Sequence, residues 1–321
     1  MIHVGILSTA SIVPRFISAA QETKSCVVEA IASRRIEAAQ KIAEEFGISK
    51  AYGSYDELLA DPDIDTVYIA MISSDHAFWS KRALEAGKNV LCEKPFALNP
   101  QDVAEIFDLA KQNNLFVMEM QKAVFLPVMS EIKKRIQKGE PGPVRMASFS
   151  SSFSSGYNNW FMDLDKGGGP WFSNAGYTAS LLQFLFDCDV KDVSGSCTRS
   201  ELTAENQFET VMTTDTGILT SCRCSTLVPL PNLAVLYCDN GRIEISDFWK
   251  ARSAAVYINN LEPEVLDYPC RHELVYEIEH AAECINSGLT ESPVMTKKIS
   301  VNTADILFRM SQEWKRKGII G

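Results

Sequence analysis

The stretch Val4-Gly5-Ile6-Leu7-Ser8-Thr9-Ala10-Ser11-Ile12-Val13 sets a short apolar run against a turn of small residues, and a helical pattern follows over 12–22. An apolar run of this length, Val4–Ser8, bounded by turn residues reads as a strand covered on both faces. The pattern then repeats. Val27–Ser33 is a second strand. Ile36–Phe46 lines Ile36, Ala39, Ala43 and Phe46 along one helical face, and Gly47 stands where a left-handed glycine closes a helix. Tyr55–Ala60 reads as a short helix, Thr66–Met71 as a third strand, and Ala77–Ala86 as a helix stopped by Gly87. Asn89–Cys92 is a fourth strand, Asn99-Pro100 opens another helix, and Leu115–Glu119 is a fifth strand. Strands alternating with helices at this spacing predict βαβ units in a doubly wound parallel sheet, so residues 1–122 are expected to form one α/β domain.

Past residue 122 the rhythm changes. A helix over 128–138 stops at the turn Gly139-Glu140-Pro141-Gly142-Pro143. Segments rich in Ser, Thr, Val and Phe follow at 144–154, 207–213, 217–225, 233–238, 242–246 and 253–258. Asp215-Thr216-Gly217 and Asp239-Asn240-Gly241 separate some of them as hairpin turns would. Helices near 175–186 and 272–287 are expected to flank this sheet, and a last helix, 300–317, ends in Lys315-Arg316-Lys317, which suits the negative end of a helix dipole. Residues 123–321 are therefore read as an α+β domain around an open, mostly antiparallel sheet. A sheet face without helix cover is surface that a second copy of the chain would bury, which predicts a homodimer through the C-terminal sheet.

Composition narrows the function classes. The 321 residues are 46% hydrophobic and 22% charged, with a formal net charge of −10. That balance argues against a broad nucleic-acid footprint. No apolar run approaches the roughly 18 residues of a membrane span, and Met1-Ile2-His3-Val4 enters the first strand without a basic leader, so a cytoplasmic location is expected and no membrane partner. The nine cysteines are scattered, and Cys222-x-Cys224 has neither a second pair nor a His at zinc spacing. They read as reduced strand or core residues, and no metal is called.

The first turn carries the first chemical signal. Strand, tight turn and helix form the setting of the Rossmann dinucleotide fingerprint, whose glycines would fall at 8, 10 and 13. Here they are Ser8, Ala10 and Val13. Small residues at Ser8, Thr9, Ala10 and Ser11 still let a pyrophosphate approach the helix N-terminus at Ile12, where N–H groups and the positive dipole end would hold it. The second strand ends Ala32-Ser33-Arg34-Arg35, with no carboxylate before Glu37 for a ribose 2′-hydroxyl. A guanidinium pairs with phosphate through two hydrogen bonds, and Ser33 adds a hydroxyl, so NADP is predicted over NAD. The bland alternative makes Arg34 and Arg35 solvated residues at a helix start.

The fourth strand runs into Glu93-Lys94-Pro95. Ligands of open α/β sheets bind outside the carboxyl ends of the strands. A lysine there can stabilise alkoxide character during hydride transfer, with Glu93 orienting it and Pro95 holding it extended. In order along the chain stand a weakened glycine turn, Ser33-Arg34, Glu93-Lys94-Pro95 and a trailing α+β domain. Together they resemble the Gfo/Idh/MocA oxidoreductases over nearly the whole chain. Gly5-Ile6-Leu7-Ser8-Thr9-Ala10, Ala32-Ser33-Arg34, and Met118-Glu119 before Phe125-Leu126-Pro127 are most similar to the dimeric dihydrodiol and xylose dehydrogenase branch.

The resemblance implies further site residues. The family's cofactor-contacting stretch after the third strand matches here at Ala70 and His76, while Met71, Ile72 and Ser73 stand in its middle and Ile72 and Ser73 replace its Pro and Asn. His76 reads equally as a helix-capping residue. In the second domain, Gly167-Gly168-Gly169 precedes Ser173 and Tyr177, with Tyr177 at the family's His/Tyr proton-transfer position and Ser173 in place of its Asp. Ser173 and Tyr177 are four apart and would share a helical face, and Lys94 near the phenol would favour its ionised form. The alternative for Tyr177 is a half-buried core aromatic. Lys122 follows the fifth strand and is read as a substrate-pocket residue or a solvated linker lysine, and Asn158, Asn159 and Trp160 as a loop suited to a polyol or as packing at the sheet rim. The expected reaction is hydride transfer between NADP or NAD and a hydroxyl or carbonyl carbon of a small molecule (a sugar, polyol or cyclic diol), with Lys94 and Tyr177 catalytic. The rival is a non-catalytic dinucleotide-binding sensor of the same family.

Overall fold

A computed structural model describes residues 1–154, 160–259 and 261–321. The chain divides into two compact units. The first comprises Met1–Ala97, Gln101–Gln121 and His272–Lys297, and the second Leu98–Pro100, Lys122–Arg271 and Lys298–Gly321.

The first unit opens with β1 (Ile2–Leu7), α1 (Val13–Ala20), β2 (Cys26–Ala32), α2 (Ile36–Phe46), β3 (Lys50–Tyr52), α3 (Tyr55–Leu59) and β4 (Thr66–Ile69). It continues through α4 (His76–Glu85), β5 (Asn89–Glu93), α5 (Pro100–Gln112) and β6 (Val117–Met120). The strands pair in parallel in the order β3-β2-β1-β4-β5-β6, the doubly wound arrangement the alternating pattern predicts. Order reverses at β1, so the crevice outside the carboxyl ends of β1 and β4 is the topological switch point. Burial follows the sequence: Val4, Ile6, Leu7, Val67, Tyr68, Ile69, Val90 and Leu91 are fully enclosed. Gly5 has a packing reason, since a Cβ there would lie 2.5 Å from a Leu58 methyl.

In the second unit come α6 (Pro127–Gln137), β7 (Val144–Ser152), α7 (Gly176–Phe186), β8 (Val190–Arg199), β9 (Glu205–Thr214), β10 (Leu219–Ser225), β11 (Leu233–Cys238), β12 (Gly241–Ser246), β13 (Ser253–Ile258) and β14 (Glu264–Asp267). They make one eight-stranded sheet, β14-β13-β12-β11-β7-β10-β9-β8, antiparallel except between β7 and β10. One face buries Ala147, Phe149, Phe208, Met212, Cys222, Cys224, Leu236, Ile243 and Ile245. Its cover includes α9 (Lys297–Arg316): the Trp171 indole donates to the Leu307 carbonyl, and the Trp171, Phe208 and Trp314 rings meet edge to face or tilted. Register places Met146, Val211, Leu219, Tyr237 and Val265 on the opposite face, where all five are exposed.

One helix departs from the expected arrangement. The segment near 272–287 does not flank the second sheet. It forms α8 (Val275–Asn286), belongs to the first unit, and packs against α1, β1 and β2. An apolar stripe such as Ile278, Ala281 and Ala282 shows that a helix buries one face, not which surface receives it.

Among the described residues no helix is long and apolar enough to cross a membrane, and no cluster of His, Cys, Asp or Glu is arranged to hold a metal ion. All nine cysteines are free thiols, seven of them buried.

Candidate functional site

The residues singled out from the sequence fall into a group on each unit. On the first unit the turn after β1 shows what the missing glycines mean. Ser8 sits at φ 137°, in the region that favours glycine, so the backbone keeps the fingerprint shape although the residue is serine. Its hydroxyl accepts the Ala10 N–H at 3.0 Å, an internal brace a glycine would lack. Ile12 caps α1 without any side-chain hydrogen bond, while the Val13 and Arg15 N–H groups turn back onto the Ala10 and Ile12 carbonyls and Pro14 has none, so a ligand at this end would be met by the turn Ser8–Ile12 and the positive end of the helix dipole. Thr9, Ala10 and Ile12 are half-exposed and Ser11 is exposed, whereas Val13, at the third glycine position, is fully buried. The valine is absorbed into the packing of α1, whose Phe16 ring stacks on Tyr68 at 3.7 Å.

At the end of β2, Ser33 is buried, its amide donates to the Tyr52 carbonyl, and its hydroxyl lies 3.4 Å from the Arg35 amide. Arg34 and Arg35 are exposed, and neither forms an ion pair with a described residue. A glycine-like turn of small residues at a helix start and two exposed guanidiniums fit the pyrophosphate and ribose phosphate of a dinucleotide.

Glu93-Lys94-Pro95 ends β5 at the same sheet edge, with a cis peptide bond between Lys94 and Pro95. Two side chains fasten it that the motif itself does not announce. The Tyr68 hydroxyl donates to Glu93 Oε1 at 2.7 Å, and burial first, then Glu93, pushes that phenol well above its ordinary range, so it remains a donor. His76, 1% exposed, places Nδ1 2.9 Å from the Pro95 carbonyl and Nε2 3.0 Å from the Met71 carbonyl. Burial lowers its pKa although both carbonyls favour the charged ring. His76 thus ties the loop after β4 to the Glu-Lys-Pro segment. In that loop Ala70 and Ser73 are buried and Met71 is half-exposed.

On the second unit Tyr177 occupies the first turn of α7 and is 4% exposed. The turn before it, Trp171–Ala175, is π-helical, and such turns re-aim the residues they precede. Ser173 bonds back to the Gly169 carbonyl at 2.8 Å. The phenol oxygen accepts a hydrogen bond from Lys122 Nζ at 2.8 Å in buried surroundings. Lys122 is therefore no solvated linker lysine: it is 8% exposed, in a 3-10 turn Lys122–Phe125 that packs on α7. Trp160 is half-exposed with its ring edge-on to Phe161, while Asn158 and Asn159 lie outside the described residues.

The glycine run has a structural explanation that the sequence does not show. A Cβ on Gly169, whose φ is +89°, would lie 2.2 Å from Glu205 Oε1, and one on Gly168 would lie 2.4 Å from the Phe161 carbonyl. Glu205, 1% exposed, accepts the Trp171 N–H at 2.6 Å at the head of the π-helical turn. Burial pushes its carboxyl up to about 7. Nothing in Ala204-Glu205-Asn206 marks it in advance.

The fold and these groups define a nicotinamide-dependent oxidoreductase: the chain belongs to the Gfo/Idh/MocA family, its residues 2–121 matching the model described as an oxidoreductase family with NAD-binding Rossmann fold and 129–244 the Gfo/Idh/MocA C-terminal domain. Among curated relatives it is 31% identical to a trans-1,2-dihydrobenzene-1,2-diol dehydrogenase of Mus musculus, over 87% of this chain and 86% of that one. It is 30% identical to the protein of the same name from Xenopus laevis, over 94% and 95%. Among solved structures, a 3-ketoreductase of Actinomadura kijaniata crystallised with NADP and TDP-benzene superimposes with a TM-score of 0.85 at 21% identity, covering 97% of each chain.

Proposed function

We propose that the protein transfers a hydride between NADP and a hydroxyl-bearing or carbonyl carbon of a cyclic diol, sugar or polyol. The observation that carries the reading is the strand-end Glu93-Lys94-Pro95, fastened by Tyr68 and His76 at the carboxyl edge of a parallel sheet. A bound nicotinamide dinucleotide supplies the hydride acceptor or donor. Ser8, Thr9, Ala10, Ser11 and Ile12 hold its pyrophosphate, Ser33, Arg34 and Arg35 its adenosine phosphate, and Ala70, Met71, Ser73, His76 and Glu93 shape its nicotinamide end. Lys94 polarises the substrate oxygen, and Tyr177 gives or takes the proton. Lys122, Trp160, Asn159 and Ser173 belong to the substrate side. The first unit binds the cofactor, and the second, which includes Lys122, binds substrate and dimerises. The diol in the name of the curated relatives supports a ring-borne vicinal diol as a substrate.

A screen of trans-1,2-dihydrobenzene-1,2-diol, aldoses and polyols with NADP+, followed by absorbance of the reduced cofactor, tests the reading. Lys94→Ala is expected to lower kcat by about 10²–10⁴-fold with the fold retained. A fully active Lys94→Ala removes the lysine from the mechanism, and no turnover of any compound refutes the enzyme. The exposed row of Met146, Val211, Leu219, Tyr237 and Val265 supports a homodimer, built by a second copy on this sheet face. Light scattering of a monomer at micromolar concentration would refute the dimer.

A further inference from the structure

We infer that Lys122 is a positioning residue for the proton transfer at Tyr177, fixing where the phenol hydrogen points and holding the charge left on its oxygen. The inference rests on the proposed role of Tyr177 and deepens it. Its geometry is local to the second unit: Lys122 Nζ is 2.8 Å from the phenol oxygen and 5.1 Å from the ring centroid, and both side chains are buried.

An ammonium group has three donors and no acceptor. It therefore occupies an acceptor site of the phenol oxygen and leaves the phenol hydrogen to be donated elsewhere, toward a substrate oxygen. In the reductive direction the Tyr177 O–H bond breaks and its proton forms the new O–H bond of the substrate. The hydride of a reduced nicotinamide dinucleotide forms the C–H bond as the C=O π bond breaks. The carbonyl carbon is reduced by two electrons and the nicotinamide is oxidised by two. The electron pair of the broken O–H bond stays on the Tyr177 oxygen, beside a cation in surroundings that exclude water, where such a charge is held far more strongly than in solvent. The Tyr177 oxygen regains a proton from solvent once the product has left. The first-turn position of Tyr177 on α7 and the packing of the Lys122–Phe125 turn on that helix keep the pair together whatever the substrate.

The test is a double-mutant cycle on the full chain, with trans-1,2-dihydrobenzene-1,2-diol and NADP+ as probes. It is paired with 19F NMR of 3-fluorotyrosine-labelled apo-protein, in which Tyr177→Phe assigns the resonance. Lys122→Met is expected to lower kcat about 10–100-fold with little change in KM and to enlarge the solvent deuterium isotope effect. Lys122→Arg is expected to recover most of the rate, and Lys122→Met to add little to Tyr177→Phe. The Tyr177 fluorine resonance should move in Lys122→Met and return in Lys122→Arg. If Lys122→Met does not fold, Lys122→Gln, a donor without charge, takes its place with the same expectations. Undiminished kcat, losses that multiply in the double variant, or an unmoved resonance would overturn the inference while leaving Tyr177 in its role. Full activity in Tyr177→Phe would instead overturn the role of the tyrosine and the inference with it. Failure of the wild type to oxidise the diol would count against the substrate class, and the resonance would still decide whether Lys122 holds the phenol.

Discussion

Glu205 makes the stability of the second unit depend on pH, with a sign that can be worked out. The carboxyl rises from 4.5 to about 7 on folding, chiefly because it is buried, and the Trp171 N–H only partly offsets this. The thiols that face it, Cys197 and Cys224, are themselves pushed up to about 12 and about 11, so they stay neutral through the relevant range. Between pH 4.5 and 7 the unfolded chain has released this proton while the folded chain keeps it. Stability therefore falls as pH rises through that window and levels off above it. A change of this size in proton affinity corresponds to about 3 kcal/mol. Glu205→Gln keeps an oxygen for the Trp171 N–H and cannot ionise. The two new N–H donors it buries carry a constant cost of about 1–3 kcal/mol, so the test is the change with pH and not the absolute difference. From pH 5 to pH 8 the variant should gain about 2.5 kcal/mol relative to the wild type, seen as a relative rise in Tm of roughly 5–10 °C. Thermal unfolding at pH 5, 6, 7 and 8 measures it. A gap between the two proteins that stays constant within about 0.5 kcal/mol would refute the coupling of this carboxyl to folding.

Other perturbations test the cofactor side. His76 is the acid-side counterpart of Glu205: burial lowers its pKa below the ordinary 6.5, so stability is lost as pH falls below that value, and His76→Ala should flatten this limb while costing about 2 kcal/mol at pH 7, measured by denaturant titration. Ser8→Gly should relieve the positive φ but give up the brace to the Ala10 N–H, changing stability by less than about 1 kcal/mol with the cofactor still bound, whereas Ser8→Val should lose both stability and cofactor in unfolding and fluorescence titrations. Arg34→Ala should weaken NADP binding about 10–100-fold and leave NAD binding unchanged by calorimetry; equal affinity of the wild type for both would reject the preference.

What the sequence leaves unread has a pattern. The central strands of both sheets are legible because they are enclosed and therefore continuously or alternately apolar, as in Val4–Leu7 and Leu233–Leu236. The strands that escape reading, β3, β8 and β14, are all sheet edges. An edge strand buries little, and Val190–Arg199 encloses only Val190 and Cys197, so no periodicity betrays it. The same logic divides the site. Ser8, Ser33, Glu93 and Tyr177 are visible as motif positions because their neighbours in sequence define the turn or strand end they occupy. Tyr68, Glu205 and the bond from Lys122 to Tyr177 arise from contacts 25, 34 and 55 residues apart, which no local pattern encodes. Gly169 is the instructive case. Its run of three glycines is conspicuous, yet what it serves is a carboxylate 36 positions later, whose Oε1 fills the space a Cβ would take. Replacing that glycine by alanine should therefore do more harm than its φ of +89° alone would cause, and a second change, Glu205→Ala, should recover part of the loss if the crowding between them is the cause. Equal damage in the single and double variants would show that backbone conformation, and not the buried carboxylate, is what requires glycine there.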